Sequence, residues 1–303
     1  MFYNTKGYKN LGDCLLIWFT EYWTENVGLT FKVKEVKKIK SKYQEIAILD
    51  TVEFGRMLVL DGLVQTTERD EFIYHEMISH PAMLIHPEPK RVLVIGGGDG
   101  GTIREVLKYP SVEEAHLCEI DEKVIFAAET YFPSISYALK DPKVKIFIED
   151  GNEFLDEKKN YYDIIIMDNS DPIGASENLF KEEFYRKVKG ALRENGIMVA
   201  QTESPILQEK YFKNAITEIS KVFKNMEVYL AYIPTYPSGM WSFTIASDDV
   251  DLNNKANIDR LSNIKTKYFN EDIFNSLYAL PTFVRDMVRG EKNDWFWKNK
   301  IWW

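Results

Sequence analysis

The stretch VLVIGGGDGG, residues 92–101, combines an apolar run with a glycine loop that carries one carboxylate, Asp99. The apolar residues are typical of a strand buried on both faces of a parallel sheet. The glycines allow a ligand to approach the backbone closely, and the helix expected after the loop offers free N–H groups. A carboxylate in the loop would repel a phosphate and favour a cation, such as a sulfonium or an amine. The loop therefore favours group transfer from an S-adenosyl-type donor over redox chemistry on a dinucleotide.

From Arg91 onward the chain alternates strands with helices. Strands are expected at 91–95, 115–120, 144–148, 163–168, 196–203, 226–233 and 241–246, and helices at 102–108, 121–131, 182–193 and 207–223. This alternation predicts an α/β fold with a doubly wound, mainly parallel sheet. The last two strands are expected to form an antiparallel addition at the edge of that sheet, and residues 250–290 are expected to be helical.

The N-terminal part has a different pattern, which predicts a small β-domain. Residues 30–36 alternate with period two, and 43–50 and 56–64 are further strand candidates. Turns are expected at Glu53-Phe54-Gly55 and at Asp61-Gly62. A helix is expected from Asp70 to Ile85. We therefore predict three parts, which are an N-terminal β-strand domain over 1–67, a catalytic domain over 68–290, and a tryptophan-rich tail over 291–303 with no assigned role.

The overall composition excludes some classes of function. The chain has 303 residues, of which 45% are hydrophobic, and a formal net charge of −9. With a pI near 5.2 it differs from nucleic-acid binders, which usually carry a basic patch. The two cysteines, Cys14 and Cys118, form neither a disulfide framework nor a metal-ligand pattern. No leader and no bilayer-length apolar stretch is recognised, so a cytoplasmic protein without membrane contact is the expectation.

Acidic residues also follow the next strands of the predicted sheet. Glu119 ends the second strand, where a carboxylate can accept hydrogen bonds from both ribose hydroxyls. Asp150, followed by Gly151, ends the third strand, where an adenine amino group would lie. Because the carboxyl ends of parallel strands share one edge, these residues predict a nucleoside cleft at the topological switch point. Taken singly, Glu119 could be a solvated charge and Asp150 an ordinary turn residue.

A second acidic motif, DNSDP at residues 168–172, follows the apolar run 164–167. It places Asp168 and Asp171 at the carboxyl end of the fourth strand, facing the same cleft. A free alkylammonium, with a pKa of about 10.4, cannot attack as a nucleophile, but a positioned carboxylate can accept its proton. Closely placed carboxylates can raise the pKa of one of them, which makes it a stronger base. The alternative is a structural Asx turn, because Asn-Ser-Asp-Pro is strong turn chemistry.

Over roughly residues 8–288 the chain resembles the spermidine synthases, which are polyamine aminopropyltransferases. The resemblance rests on five motifs in order, VLVIGGGDGG at 92–101, CEID at 118–121, EDG at 149–151, DNSDPIG at 168–174 and IPTYPSG at 233–239. It implies transfer of an aminopropyl group from decarboxylated S-adenosylmethionine to putrescine, which gives spermidine and methylthioadenosine. It also implies a Rossmann-like, methyltransferase-type catalytic domain, no metal or other cofactor, and a homodimer or homotetramer with the β-domain at the interface.

The same resemblance assigns residues to an amine site. Asp168 would be the general base, and Asp171 would help to hold the diamine. The other residues expected to border the amine are Tyr74, Tyr236, Gln201, Trp18 and Trp241. The two tryptophans would be apolar walls, and the glutamine would reach the amine through water.

The donor site is assigned in the same way. The residues expected to contact the donor are Gln44, Gln65, His75, Gly96, Gly98, Asp99, Glu119, Asp150 and Gly151. Asp99 and His75 would lie near the aminopropyl amine, with the two glutamines beside the sulfonium arm. Glu119 would bind the ribose, and Asp150 with Gly151 the adenine. The loop from Asp171 to Phe180 would be a gate that orders on binding.

The chain departs from the family pattern just before this loop and within it. Asn169 stands where the family commonly has serine, and Gly174-Ala175-Ser176-Glu177 lacks the proline of the common Gly-Pro-Ala-Glu. Both aspartates remain, so these departures bear on loop mobility and acceptor length rather than on the chemistry.

Other functions stay open at the level of the sequence. An N-methyltransferase that uses intact S-adenosylmethionine would have a similar cleft, but Asp99 would oppose the carboxylate of that donor. A dehydrogenase is disfavoured by the acidic glycine loop, and a non-catalytic nucleoside-binding homologue by the intact Asp168, Asp171 and Tyr236. The sequence does not choose among putrescine, cadaverine, agmatine, 1,3-diaminopropane and spermidine as acceptor.

Overall fold

The computed structural model describes residues 2–3, 16–169 and 179–291. Its first sheet has six strands that pair antiparallel in chain order. They are β1 (Phe2–Tyr3), β2 (Ile17–Tyr22), β3 (Gly28–Lys40), β4 (Glu45–Thr51), β5 (Arg56–Leu60) and β6 (Leu63–Thr67). The predicted gate loop and the tryptophan-rich tail lie almost wholly outside the described residues.

This N-terminal sheet differs from the sequence prediction in two places. The strand expected over 56–64 is two strands, because the predicted turn at Asp61 and Gly62, with φ of 47° and 90°, divides it. Positive φ at both central residues matches the twist of the flanking strands, which is why Asp-Gly favours hairpins. The second difference is β2, which was not predicted. Its Phe19 packs into a small core with residues of β3 and β4.

The second sheet is the α/β part of the molecule. Its strands are β7 (Arg91–Gly96), β8 (Glu114–Cys118), β9 (Val144–Phe147), β10 (Tyr162–Asp168), β11 (Leu192–Gln201), β12 (Asn225–Tyr232) and β13 (Met240–Ser247). The helices are α1 (Glu71–Ile85), α2 (Gly101–Val106), α3 (Glu122–Tyr131), α4 (Pro133–Ser136), α5 (Gly151–Phe154), α6 (Glu182–Ala191), α7 (Glu209–Ser220), α8 (Glu271–Asn275) and α9 (Thr282–Val288).

The strand order is β12-β13-β11-β10-β7-β8-β9. The strands from β11 to β9 run parallel, and β13 is antiparallel to both β11 and β12. The predicted α/β fold, a doubly wound sheet with a small N-terminal β-domain and an antiparallel edge, is therefore confirmed. Residues 250–290 are only partly helical, with a 3-10 helix at Ile258–Asn263 before α8 and α9.

The continuous apolar run of β7 reflects burial on both faces of the sheet. Val92 and Val94 belong to the larger hydrophobic cluster, together with residues of α1 and α2. Leu93 and Ile95 belong to the cluster on the other face, with residues of α6. Because successive side chains of a strand point to opposite faces, a strand covered on both sides needs an apolar residue at every position.

Helix α1 is buried along almost its whole length. Pro81 lies inside the helix, so its missing N–H leaves the carbonyl of Met77 without the usual partner. The Tyr229 hydroxyl donates to that carbonyl at 3.0 Å. Within the described ranges, no helix combines the length and the apolar character that crossing a bilayer requires.

Candidate active site

A cavity of about 460 Å³ opens at the carboxyl ends of β7, β8 and β10 and extends to the N-terminal sheet. Every predicted site residue other than Trp18 and Asp171 lines it, namely Gln44, Gln65, Tyr74, His75, Gly96, Gly98, Asp99, Glu119, Asp150, Gly151, Asp168, Gln201, Tyr236 and Trp241. Residues as far apart as 44 and 241 in the chain therefore meet at one cleft.

Two predicted residues are not in this lining. Trp18 was expected to be an apolar wall, but the structure places it elsewhere, with the Lys32 ammonium 5.8 Å from its ring centroid. The residues of β2 that line the cavity are instead Glu21 and Tyr22, at the end of the strand. Asp171 lies outside the described residues.

Asp168 stands at the last position of β10 and receives two hydrogen bonds. The Tyr74 hydroxyl donates to Oδ1 at 2.7 Å, and the Thr102 hydroxyl donates to Oδ2 at 2.6 Å. Burial and the nearby Asp99 raise the pKa of Asp168, while His75 and the two hydroxyls oppose that rise. The result is an oriented carboxyl group that is a better proton acceptor than a solvated aspartate.

The glycine loop makes room for carboxylates as well as for a ligand. Gly97 has a φ of 66°, and a Cβ there would lie 2.5 Å from Oδ2 of Asp168. A Cβ on Gly98 would lie 2.8 Å from Oε2 of Glu119. At the start of α2, the Gly101 N–H donates to Oδ1 of Asp99 at 2.8 Å. This N–H is therefore engaged by the protein itself.

His75 connects Asp99 to a second carboxylate behind the cavity. Its Nε2 lies 3.3 Å from Oδ2 of Asp99, and its Nδ1 lies 2.6 Å from Oε2 of Glu71. Burial by itself lowers the pKa of His75, but the two carboxylates raise it to about 10. The cleft therefore contains a fixed imidazolium beside Asp99.

The predicted nucleoside residues lie at the ends of β8 and β9. Glu119 accepts the Asp121 N–H at 2.9 Å, and burial together with the charges of Asp121 and Asp168 raises its pKa to about 7. Gln44 reaches from the N-terminal sheet and donates to Oδ2 of Asp121 at 2.9 Å. Asp150 accepts the Asn152 N–H at 2.8 Å, which caps α5 and fixes the turn.

Aromatic rings form another wall of the cavity. The Tyr236 ring lies 5.6 Å from Tyr74 and, edge to face, 4.8 Å from Trp241. The Tyr236 hydroxyl donates to the carbonyl of Gln65 in the N-terminal sheet. The Trp241 indole N–H is buried, and no group of the described chain accepts it. Aromatic faces beside carboxylates suit an alkylammonium ligand.

The amide of Gln201 is committed to neighbours at the edge of this wall. Its Nε2 donates to the carbonyl of Asn169 at 3.0 Å and to Oε1 of Glu203 at 3.1 Å. The side chain is therefore held in one orientation.

Sequence reasoning missed Glu21, Trp23 and Thr102. Glu21 is 3% exposed and lines the cavity, where it accepts the Val64 N–H and the Trp23 indole N–H, each at 2.9 Å. The signal was the period-two alternation of residues 17–22, which puts Glu21 at an inward position after Phe19. For Thr102 the sequence has no comparable signal, because its contact with Asp168 crosses 66 residues.

The cleft can thus hold a nucleoside at one sheet edge and cationic groups among several carboxylates. Within residues 16–169 and 179–291, no three His, Cys, Asp or Glu side chains are grouped so as to hold a metal ion.

Comparison with known proteins agrees with this geometry. Residues 71–257 match the family model of the spermine/spermidine synthase domain. Residues 17–68 match that of the spermidine synthase tetramerisation domain, which supports the expectation of a homo-oligomer. A polyamine aminopropyltransferase of Caldicellulosiruptor bescii is 48% identical over 274 residues, which cover 90% of this chain and 98% of that protein. One from Clostridium kluyveri is 45% identical over 274 residues, covering 90% and 99%.

Solved structures give the same answer. A spermidine synthase in complex with the transition state analogue AdoDATO superposes with a TM-score of 0.88 at 45% identity, covering 90% of this chain and 94% of that one. The spermidine synthase from Thermotoga maritima superposes with a TM-score of 0.85 at 44% identity and the same coverage. With both parts of the fold, the cleft and close relatives in agreement, the chain belongs to the spermidine synthase family of polyamine aminopropyltransferases.

Proposed function

We propose that the protein transfers the aminopropyl group of decarboxylated S-adenosylmethionine to putrescine, forming spermidine and methylthioadenosine. The observation that carries the proposal is the placement of Asp168, half-buried between the hydroxyls of Tyr74 and Thr102 and lining the same cavity as Tyr236 and Trp241. A carboxylate oriented in this way can hold and deprotonate an amine next to an aromatic wall.

The mechanism is an in-line displacement. The neutral amine of the acceptor attacks the carbon next to the sulfonium, so that a C–N bond forms while the C–S bond breaks. The bonding electron pair stays on sulfur, which leaves as the neutral thioether of methylthioadenosine. Asp168 accepts the proton that the attacking nitrogen gives up. Because a sulfonium is already a good leaving group, the protein mainly supplies proximity, deprotonation and exclusion of water.

The donor fits the remaining residues. Glu119 would accept the ribose hydroxyls, and Asp150 with Gly151 would face the adenine. Asp99 would meet the donor ammonium, with Gln44 and Gln65 along the sulfonium arm. A methyl donor with its carboxylate intact would place like charges together at Asp99, which is why the decarboxylated donor is favoured.

We also propose that the reaction needs no metal or other cofactor and that the protein is a homo-oligomer built through the N-terminal sheet. Turnover should survive exhaustive treatment with EDTA. Sedimentation should give two or four times the 35.4 kDa mass of one chain. The proposal that no metal is needed would be overturned if EDTA abolished turnover and added metal restored it. The proposal of a homo-oligomer would be overturned by a monomer at micromolar concentration.

The test is a product assay with decarboxylated S-adenosylmethionine and a panel of putrescine, cadaverine, agmatine, 1,3-diaminopropane and spermidine. Methylthioadenosine release that is fastest with putrescine is expected, and preference for agmatine or cadaverine would change the acceptor but not the reaction. Intact S-adenosylmethionine is the control donor. Formation of S-adenosylhomocysteine from it, without turnover of the decarboxylated donor, would make the protein an N-methyltransferase.

The base assignment has its own variant. Asp168→Asn keeps the shape of the side chain and removes its basicity, so turnover should fall by roughly 10²-fold or more. Methylthioadenosine binding should stay nearly unchanged, as measured by calorimetry. Near-wild-type turnover in this variant would show that another group accepts the proton.

A further inference from the structure

A row of buried charges extends from Asp99 away from the cavity into the contact between α1 and α2. His75 lies next to Asp99, Glu71 lies next to His75, and the Arg104 guanidinium follows Glu71. The guanidinium donates to both oxygens of Glu71, with distances of 3.0 Å to Oε1 and 2.7 Å to Oε2. Glu71 and Arg104 are 6% and 9% exposed, and neither lines the cavity.

The geometry at His75 specifies its protonation state. Its two ring nitrogens face the carboxylates of Glu71 and Asp99, and only a doubly protonated ring can donate to both. Other ionisable groups near the ring are Tyr74 of its own helix, in edge contact with it, and Asp168 of β10, whose pKa responds to the charge of His75. Arg104 of α2 lies behind Glu71, to which it donates. Burial raises the pKa of Glu71, but His75 and Arg104 lower it to about 2, so this carboxylate stays charged.

Asp99 is oriented from two sides as a consequence. Its Oδ1 accepts the Gly101 N–H, and its Oδ2 faces the imidazolium at 3.3 Å. Both oxygens therefore have fixed positions, and each keeps a second lone pair for an incoming donor. The orientation depends on the imidazolium, which in turn depends on the Glu71–Arg104 pair behind it.

We propose that Glu71 and Arg104 are positioning residues for donor recognition, which hold His75 as a fixed imidazolium so that Asp99 presents its carboxylate to the ammonium of the donor. The proposal rests on the proposed function, because only a donor with that ammonium uses Asp99. It assigns a role in the reaction to two residues that touch neither substrate.

The charge of the His75 imidazolium also acts on Asp168, the proposed base. Asp99 raises the pKa of Asp168 and the His75 imidazolium lowers it, in addition to the effect of burial. If His75 loses its proton or its position, the pKa of Asp168 rises further. The acidic limb of the kcat/KM profile then moves to higher pH, since Asp168 must be deprotonated to accept a proton.

The test compares two ligands that share the nucleoside but differ in the ammonium. Decarboxylated S-adenosylmethionine carries the aminopropyl ammonium, and methylthioadenosine lacks it. In Glu71→Gln we expect the calorimetric affinity for the decarboxylated donor to fall roughly tenfold and that for methylthioadenosine to stay within about twofold. Arg104→Met should act in the same direction, and Arg104→Lys should recover part of the loss.

The matched control is His116→Gln. His116 of β8 is 4% exposed, with Nδ1 2.8 Å from the Tyr162 hydroxyl and Nε2 3.0 Å from Oε1 of Glu114, and it does not line the cavity. This variant should lower stability without changing the ratio of the two affinities or the pH profile. A purely structural role for Glu71 and Arg104 would make their variants behave like this control.

Several results would overturn the inference. One is that Glu71→Gln and Arg104→Met leave unchanged the ratio of the affinities for the decarboxylated donor and methylthioadenosine, whether both weaken equally or neither weakens. Another is that the acidic limb of the kcat/KM profile does not move. If both variants fail to fold, the ¹⁵N chemical shifts of His75 in the wild-type protein at pH 8 decide, because a neutral ring would contradict the proposal. Wild-type turnover tests the proposed function separately, so failure of the reaction and failure of this inference are distinguishable.

Discussion

The Tyr74 hydroxyl donates a hydrogen bond of 2.7 Å to Oδ1 of Asp168, across 94 residues of sequence. This bond joins α1 to the end of β10 and stabilises the charged form of the carboxyl group. The Tyr74 ring also packs against Tyr236 and Phe243, so one residue both forms part of the aromatic wall of the cavity and adjusts the proposed base.

Tyr74→Phe should therefore keep the wall and change the base. Without the hydroxyl, the pKa of Asp168 rises further, so the acidic limb of the kcat/KM profile should move to higher pH. Turnover at neutral pH should fall roughly tenfold, the size expected for a lost hydrogen bond to a charged group. The control is Tyr229→Phe, which removes a buried hydroxyl bound to the Met77 carbonyl and should cost about 1 kcal/mol of stability without moving the limb. Equal pH profiles for the two variants would contradict the prediction.

Nucleoside affinity should depend on pH through Glu119. Burial, followed by the charges of Asp121 and Asp168, raises the pKa of this carboxyl to about 7. Since the carboxylate form is the one that accepts two ribose hydroxyls, methylthioadenosine should bind more weakly as pH falls below about 7. Calorimetry from pH 6 to 8.5 measures this, and Glu119→Gln should bind weakly with little dependence on pH. A flat profile in the wild-type protein would show that Glu119 does not carry the ribose.

Two glycine substitutions should have opposite effects on stability. A Cβ on Gly101 would lie 2.2 Å from Cε1 of the buried His75 ring, so Gly101→Ala should destabilise the fold by about 1–3 kcal/mol and weaken donor binding. Nothing lies within 4 Å of a Cβ on Gly190, which is exposed on α6. Gly190→Ala should therefore stabilise the fold by about 0.5 kcal/mol through helix propensity.

Denaturant unfolding at a single protomer concentration compares the two, because association would otherwise shift the midpoint. Loss of stability in Gly190→Ala, or none in Gly101→Ala, would show that the packing described here is not that of the folded protein.

The two tryptophans of β2 and the following turn can be compared directly. Trp23→Phe removes the indole N–H that donates to Glu21 at 2.9 Å, which leaves a buried carboxylate of the cavity with one partner fewer among the described groups. We expect KM for the acceptor to rise several-fold, since a carboxylate that has lost one partner is held less firmly in its position. Trp18→Phe should leave the kinetics unchanged. Steady-state kinetics with the preferred diamine compare the two variants. A larger effect of Trp18→Phe would support the expectation that Trp18 is an apolar wall of the amine site.

Local patterns carried most of the fold prediction. The run Val92–Ile95 predicts a strand buried on both faces, because only a central parallel strand requires an apolar residue at every position. The period-two alternation of residues 30–36 predicted β3 in the same way. The errors arose where the pattern is short or interrupted, as in the strand expected over 56–64, which the predicted Asp61-Gly62 turn divides, and in β2.

Trp18 shows a limit of assigning residues by resemblance. A motif identifies the segment, but one step along a strand turns a side chain to the opposite face of the sheet. Only the folded structure shows that Glu21, and not Trp18, is among the residues that line the cavity.

The sequence by itself determined which residue types stand at the carboxyl ends of the strands, since the apolar runs before Asp99, Glu119 and Asp168 already imply parallel strands with one shared edge. Only the tertiary structure decided the partners of those carboxylates. The hydroxyls of Tyr74 and Thr102 on Asp168 and the imidazolium of His75 on Asp99 come from other elements of the fold. The physical reason is that the pKa and the orientation of a buried group depend on desolvation and on charges a few ångströms away, and distances of that size between segments remote in sequence exist only once the chain has folded.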